Sequence, residues 1–158
     1  MPSDSSRLAS AMRNYAATIP AITDLLGADD DGTPWIFVDD LFARVENTST
    51  SAIIISESGP WTAPNMHNTL DFPRFIVNIW SDPTRDASFN VVRPDAKEKA
   101  KRVFDAFNSV FHDTEHVHQS WDGLRVVDSQ LRERLSYLPV RDGQYMVNAQ
   151  AIYGATIG

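Results

Sequence analysis

Hydrophobic residues in the first 26 positions recur at alternating steps of four and three, which places them on one stripe of a helix. The stripe consists of Leu8, Met12, Tyr15, Ile19, Ile22 and Leu26. Gly27 follows it and suits a helix C-terminal cap. Pro20 falls inside the stripe, so the pattern predicts either a kinked helix or two short helices that share a face.

Two dense apolar runs follow the helical segment and are typical of strands. They cover residues 35–38 and 53–55. The next stretch, residues 58–73, contains three prolines and a glycine with little periodicity, which predicts a long proline-rich loop. Long loops without regular structure are often functional in compact domains.

The segment from about Pro73 to Ser81 has an unusual pattern for a strand. Phe75, Val77 and Ile79 point to one side, while Ile76 and Trp80 point to the other. A strand with one solvent-exposed face alternates apolar and polar residues. This strand is apolar on both sides, so both of its faces are expected to be covered. The sequence leaves open whether the second cover is another layer of the same chain or a neighbouring subunit.

The second half of the chain predicts a long amphipathic helix and then a hairpin. The helix begins near Pro94, and its apolar stripe contains Ala96, Ala100, Val103, Phe104, Phe107, Val110 and Phe111. Asp142-Gly143 is favourable for a hairpin turn. The alternation on either side of that turn gives the core-facing set Leu131, Leu135, Tyr137, Tyr145, Val147, Ala149, Ala151 and Tyr153. The predicted fold is therefore one α+β domain over 1–158, with a mostly antiparallel sheet packed against an N-terminal helix and a long central amphipathic helix.

Composition limits the chemistry available to the chain. Its 158 residues are enough for one domain with a real core, and they include no cysteine, which excludes disulfides, thiolate zinc sites and cysteine nucleophiles. No apolar run approaches the ~20 residues of a membrane span, so a soluble protein without a membrane partner is expected. The formal net charge of -7 argues against a basic nucleic-acid-binding surface.

One segment after the central helix contains several groups of the kind that ligate metals: His112, Asp113, Glu115, His116 and His118. Histidines and carboxylates at such spacing can bind zinc. The segment lacks a helical His-Glu-x-x-His pattern, so a polar exit loop is the favoured interpretation and no metal site is predicted.

The acidic run Asp29, Asp30 and Asp31 before Gly32 has part of the calcium-loop pattern. That pattern requires an acid where Gly27 stands and a distal glutamate where Val38 stands, so the match fails. A capped acidic turn is predicted instead. No phosphate-binding loop, dinucleotide fingerprint or nucleophile elbow is present in the sequence. We therefore expect no catalytic residue, no cofactor and no enzyme activity.

The order of elements resembles the tail terminator, or tail-completion, proteins of long-tailed bacteriophages. The resemblance lies in IPAITDLLG at the end of the first helical segment, FPRFIVNIWSD as a central strand, the long amphipathic helix, and the closing strand DGQYMVNAQAIYG. It extends from about Leu8 to Tyr153. Neck proteins of phages and phage-like particles share this plan, so another neck or connector component is the alternative within the same class.

The resemblance implies a virion protein, made in the host cytoplasm, that forms a homo-oligomeric ring of six copies at the tail-neck junction. Its implied partners are the major tail tube protein and a head-tail connector or stopper protein, and DNA passes through without specific binding. In such a ring, Ile76, Trp80, Trp61 and Met66 are the candidate interface residues. Asp29, Asp30 and Asp31 are candidates for an acidic turn at the lumen, where negative charge would repel DNA phosphates.

A different class of function also remains open from the sequence. A non-enzymatic protein-binding module could use the proline-rich segment as its recognition surface, with Trp61 and Met66 as anchors, because aromatic residues in such segments often dominate binding. Trp61 could equally pack onto the protein's own sheet. Solution mass separates the two classes, since the module is expected to be a monomer or a dimer and the terminator a ring.

Overall fold

The computed structural model describes residues 4–39, 45–61, 72–112, 119–134, 138–141 and 144–157. Three helices lie in this part of the chain: α1 (Asp4–Ala16), α2 (Pro20–Thr23) and α3 (Ala96–Phe111). The strands are β1 (Ile36–Val38), β2 (Ser51–Trp61), β3 (Phe72–Ser81), β4 (Thr84–Arg85), β5 (Val91–Arg93), β6 (Gln119–Trp121), β7 (Leu124–Arg134), β8 (Leu138–Arg141) and β9 (Gln144–Ile157).

The first helical stripe is divided between the two helices α1 and α2. Of the two predicted alternatives, a kinked helix or two short helices, the second is correct. Ile19 is extended, with φ -102° and ψ 103°, and Pro20 opens α2, where its missing N–H costs nothing. Leu8, Met12 and Ile22 are fully buried on one core, so the shared face is confirmed.

The prediction that Gly27 caps the helix is wrong. Asp24 is the C-cap of α2, three residues earlier. Gly27 instead lies beside the start of β2 and the residue before β1. Its N–H donates to Ser51 O, and its carbonyl accepts from Trp35 N. A Cβ at position 27 would overlap the Trp35 ring and the Thr50 hydroxyl. Glycine is therefore required by close packing and not by helix termination.

One large sheet organises the described residues. Its order is β1-β2-β3-β9-β7-β6, with β8 also paired to β9, and all pairings are antiparallel except β1 with β2. The parallel β1–β2 pair is compatible with the chain between them, because residues 39–50 are long enough for a crossover. Strands β4 and β5 form a separate two-stranded hairpin.

Both long helices pack on the same face of the large sheet. α1 contacts β1, β2 and β6, whereas α3 contacts β9, β3, β7 and β2. The core between them contains Phe75, Val77 and Ile79 of β3 together with Phe107 and Phe111 of α3, and all five side chains are at most 1% exposed. The predicted α+β class, with an N-terminal helix and a central helix against a mostly antiparallel sheet, is confirmed.

The predicted loop over 58–73 is shorter than expected. Residues 58–61 belong to β2 and residues 72–73 to β3, with Pro60 opposite Pro73 and Trp61 opposite Phe72. The register shifts between Glu57 and Pro60, as at a β-bulge. Prolines are tolerated at such irregular positions of a ladder, so the prolines did not end the strands where the sequence suggested. Residues 62–71 lie outside the described part of the chain.

The predicted C-terminal hairpin is confirmed in its pairing. Arg141 lies opposite Gln144, so β8 and β9 meet at the predicted turn, although residues 142–143 themselves are outside the described residues. Tyr153 is buried, and Val147 and Leu131 pack against the core. Leu135 and Tyr137 fall outside the described residues, as does the side chain of Tyr145.

A second hairpin, β6–β7, was not predicted. Its turn contains Asp122 and Gly123 with φ of 50° and 84°, and Leu124 returns opposite Trp121. Two successive residues with positive φ are typical of the two-residue turns that join antiparallel strands. The Asp-Gly pair was therefore the missed signal.

Candidate assembly surfaces

The face of the sheet turned away from α1 and α3, here called the outer face, contains Ile76, Asn78 and Trp80 of β3. These three side chains are partly buried, in contrast to the buried residues that alternate with them. Ile76 lies opposite Ser56 and Ile152, and Asn78 lies opposite Ile54 and Gln150. The central strand therefore has one fully covered face and one partly covered face, whereas its sequence pattern predicted cover on both.

Part of the outer face is covered by the chain itself. Val45 and Ala52 are fully buried there, and Trp35, Phe37 and Trp80 pack against them. The predicted interface residue Trp80 thus already has intramolecular neighbours, while the structure places Ile76 outside this small cluster. Of the other predicted interface residues, Met66 and the side chain of Trp61 lie outside the described part of the chain.

Two amide oxygens on the outer face are buried yet lack a hydrogen-bond partner among the described residues. They are the Oδ1 atoms of Asn78 and Asn148. A buried acceptor without a donor costs about 1–3 kcal/mol. The two oxygens are therefore a local cost of the fold and are not accessible to a donor from outside.

The acidic turn is exposed, and two of its three carboxylates have local structural roles. Asp29 Oδ1 accepts from the Trp35 ring N–H at 3.0 Å, and Asp31 Oδ1 accepts from Thr33 N at 3.0 Å. The hydrogen bonds from the Thr33 backbone and side chain lower the pKa of Asp31 below its ordinary value. Asp30 is exposed. The turn is a capped loop, as predicted, and whether it faces a lumen remains a proposal.

A buried carboxylate ties the end of β3 to the chain before β2. The Asp82 side chain is 0% exposed, and its Oδ2 accepts from Ser49 N at 2.9 Å and from Arg85 Nε at 2.8 Å. Arg85 Nη2 also donates to Asp82 Oδ1 at 3.0 Å, which completes a bidentate pair. Lys99 of α3 donates to the carbonyls of Ser49 and Asp82. We call these four residues, Ser49, Asp82, Arg85 and Lys99, the Asp82 hub.

The start of α3 is fixed to the β4–β5 hairpin beside this hub. Asp95 Oδ1 and Oδ2 accept from the N–H and hydroxyl of Thr84, both at 2.9 Å. Partial burial raises the pKa of Asp95, but the hydrogen bonds from Thr84 and the charge of Lys99 outweigh it and lower the pKa below its ordinary value of 3.8. The carboxylate is therefore most stabilising in its ionised form.

Sequence reasoning did not identify the hub or the β4–β5 hairpin. The available signals were the Asp82 and Arg85 spacing and the single aromatic, Phe89, in the polar stretch TRDASFN. A buried aspartate cannot be distinguished from a solvated one by local sequence, because its burial depends on Ser49 and Lys99, which are distant along the chain.

The groups weighed as metal ligands are not brought together in the described residues. His112 is exposed, and its Nδ1 accepts from Leu131 N at 3.0 Å. Asp113, Glu115, His116 and His118 are outside the described part. Within that part, no cluster of three or more histidine or acidic side chains is arranged to hold a metal ion. No helix of the described ranges is long and apolar enough to cross a membrane.

Comparison with known proteins leaves the family open. No protein-family model matches the chain, and no curated protein matches it. Among solved structures, the chain is similar to one from the virion of a native gene transfer agent particle, with 13% sequence identity and a TM-score of 0.46. The match covers 91% of this chain and 96% of the other.

Proposed function

We propose that this chain is a structural, non-enzymatic protein of a phage-type virion that acts as a tail terminator. In this role, copies of the chain form a ring, of six members by the sequence resemblance, on the last ring of the tail tube. The ring ends tail elongation and presents a new surface to the head connector or stopper. The partners are other copies of the chain, the major tail tube protein and the connector.

The observation that carries the proposal is the unequal cover of the central sheet. One face of β3 is sealed by α1 and α3, whereas Ile76 on the other face is only partly buried by the described residues. A neighbouring subunit supplies the remaining apolar cover in the proposed ring.

A ring is also the assembly that explains termination. In a cyclic ring, each subunit uses two different patches, and the contacts close on themselves. A tube that grows by stacking has an end surface that goes on accepting subunits unless another protein covers it. The exposed acidic turn at Asp29, Asp30 and Asp31 is proposed to lie near the lumen, where it would keep passing DNA from adhering.

Two experiments test this function. Deleting the gene should leave DNA-filled heads separate from tails, with tails of abnormal length, and adding the purified protein should restore joining. Particles that lack the protein but carry attached tails of normal length would rule out the terminator role. Unjoined tails of normal length would instead indicate another neck component, because joining but not tail elongation would then depend on the chain.

The second experiment tests the outer face directly. Ile76→Asp places a charge on the outer face and should leave the subunit folded but prevent joining, because an unpaired charge is not tolerated in a dry contact. Lys101→Asp, on the exposed side of α3, is the matched control that adds a carboxylate elsewhere. Equal joining by both variants would remove the support that the sheet gives to the proposal.

A further inference from the structure

Three large apolar side chains are exposed in the described part of the chain, and two of them share one hairpin. Phe89 is 60% exposed and Val92 59%, whereas Leu25 is 37% exposed. Phe89 lies in the turn between β4 and β5, and Val92 lies in β5. We call residues 86–92 the Phe89 knob. An exposed aromatic at the tip of a hairpin is the kind of side chain that anchors protein contacts.

The knob is held in one conformation by its own hydrogen bonds. Phe89 has a φ of 64°, a left-handed conformation that is uncommon for an aromatic residue. Its N–H donates to Asp86 O, and Asp86 N donates to Asn90 O. Asp86 Oδ1 accepts from Ser88 N at 2.9 Å and from Asn90 N at 3.0 Å. The aromatic ring is thus presented on a turn whose backbone groups are already paired.

The base of the knob is fixed to the body of the protein. Arg85 Nη1 donates to Phe89 O at 3.0 Å, and the same guanidinium is bound to the buried Asp82 carboxylate. Arg85 N also donates to Ser49 Oγ at 2.8 Å. A side chain presented in this way loses little freedom on binding, which favours a tight contact.

A cavity that Ser49 helps to line has the size to accept the aromatic ring of Phe89. Its volume is ≈ 300 Å³, and it lies between the end of α2 and the first turns of α3. A cavity of about 150 Å³ can hold a benzene molecule, so a phenyl group fits here. Leu25 and Leu26 supply an apolar wall, and the rest of the lining is polar or charged: Asp24, Ser49, Thr50, Ser51, Lys99 and Arg102. We call this the Leu25 cavity.

The charges beside the two features are complementary. Arg93 follows the knob and is exposed, and Asp24 lines the cavity and is exposed. Neither side chain makes a hydrogen bond or ion pair to the described part of the chain, and the other charged groups near them have partners: Arg102 is bound to Glu98 and Lys99 to the hub. A contact that inserts the knob into the cavity can bring this cation and this anion together.

We propose that the Phe89 knob of one copy inserts into the Leu25 cavity of a second copy, with Arg93 paired to Asp24 across the contact. The knob and the cavity are different patches of one chain, so the contact is heterologous and can close into a ring. Only the closure of this contact into a ring rests on the proposed function, and the contact itself does not. A reciprocal pair of copies, each with its knob in the other's cavity, would use the same contact.

Cysteine cross-linking tests the contact, because the chain has no cysteine of its own. Cysteines are placed beside the two features, so that the Phe89 ring and the Leu25 wall stay intact. Chains carrying Thr23→Cys, next to the lining residue Asp24, are mixed with equal amounts of chains carrying Ala87→Cys and a different tag, and a short bifunctional maleimide is added. The expected product is a covalent heterodimer that contains both tags. Mixing Thr23→Cys with Ser120→Cys, which is exposed in the edge strand β6, is the matched control and should give no such product. Equal yields in both mixtures would overturn the proposal.

Charge reversal provides an independent test by solution mass. Phe89→Ala should weaken self-association at least about tenfold, as expected for an interface anchor, without lowering the melting temperature of the subunit. Arg93→Glu and Asp24→Arg should each weaken it, and the double variant should recover association. Lys101→Glu, on the exposed side of α3, is the control for charge alone. Failure of the double variant to recover would contradict the pairing of Arg93 with Asp24.

The same measurement separates this inference from the proposed function. If the wild-type protein forms a ring that Phe89→Ala does not disturb, the knob contact is wrong, and the ring of the proposed function is retained. If the wild-type protein forms only a dimer that Phe89→Ala dissociates, the contact is right and the ring is wrong. A wild-type protein that stays monomeric up to its solubility limit overturns the contact.

Discussion

The two faces of the central sheet differ in how completely the chain itself covers them. On the inner face, Phe75, Val77 and Ile79 are at most 1% exposed beneath α1 and α3. On the outer face, the alternating residues Ile76, Asn78 and Trp80 are partly buried, and one of them is an amide. The inner face therefore holds the subunit together, while the outer face keeps apolar area that the described chain covers only in part.

The largest expected effect comes from placing a charge on each face in turn. Val77→Asp should prevent folding, because burying an unpaired carboxylate costs more than the ~5–15 kcal/mol by which a domain is typically stable. Ile76→Asp should leave a cooperative thermal transition within a few degrees of the wild type. Circular dichroism melting measures both. If Ile76→Asp also abolishes folding, the outer face is internal and the comparison fails.

Large-to-small substitutions should rank the two faces in the same order. Phe107 is fully buried and its ring lies 4.4 Å from that of Phe111 and 5.3 Å from that of Tyr153, centroid to centroid. Phe107→Ala should cost about 3–5 kcal/mol of unfolding free energy. Trp80→Ala should cost less, about 1–3 kcal/mol, because the outer cluster covers it only in part. Urea denaturation of both variants gives the two values, and a larger loss for Trp80→Ala would reverse the ranking.

Removing a polar group from the outer face should have a smaller effect of opposite sign. Asn78→Leu eliminates a buried Oδ1 that has no partner within the described chain. The isolated subunit should become more stable by up to about 1 kcal/mol, because a buried acceptor without a donor is removed. Urea denaturation of the wild type and the variant gives the difference. A less stable subunit would show that Asn78 is already satisfied within the fold.

The smallest expected effect is the loss of unfolding free energy on lowering the pH, and it arises at the start of α3, on the inner face of the sheet. Asp95 fixes the start of α3 to Thr84, and its pKa is lowered from the ordinary value of 3.8 in the folded protein. The contribution of the Asp95 carboxylate to the free energy of unfolding is therefore complete above pH 3.8, and it is lost as the pH falls through the lowered pKa. Asp95→Asn should show a shallower loss of unfolding free energy below that pH. Parallel slopes for wild type and variant would contradict this role.

The stepwise hydrophobic pattern alone determined the two helical stripes, the central strand and the class of fold. The stripe of Leu8, Met12 and Ile22 and the stripe of α3 both pack as predicted, because a helix can bury only the side that its sequence makes apolar. The alternation in β3 gave the correct division between Val77 and Ile76. These features depend on residues within a few positions of one another, so the linear sequence contains them completely.

The tertiary structure decided the features that depend on residues far apart in the chain. Trp80 lies on the outer face, but its neighbour Val45 is 35 positions away, so its partial intramolecular cover could not be read from the strand. Asp82 is buried because Ser49, Arg85 and Lys99 converge on it, and Phe89 is exposed because that hub holds its hairpin away from the core. The sequence by itself specified which surfaces are apolar. Only the packing of distant segments determined which of them the chain covers and which it leaves exposed, because that cover comes from residues far away in the sequence.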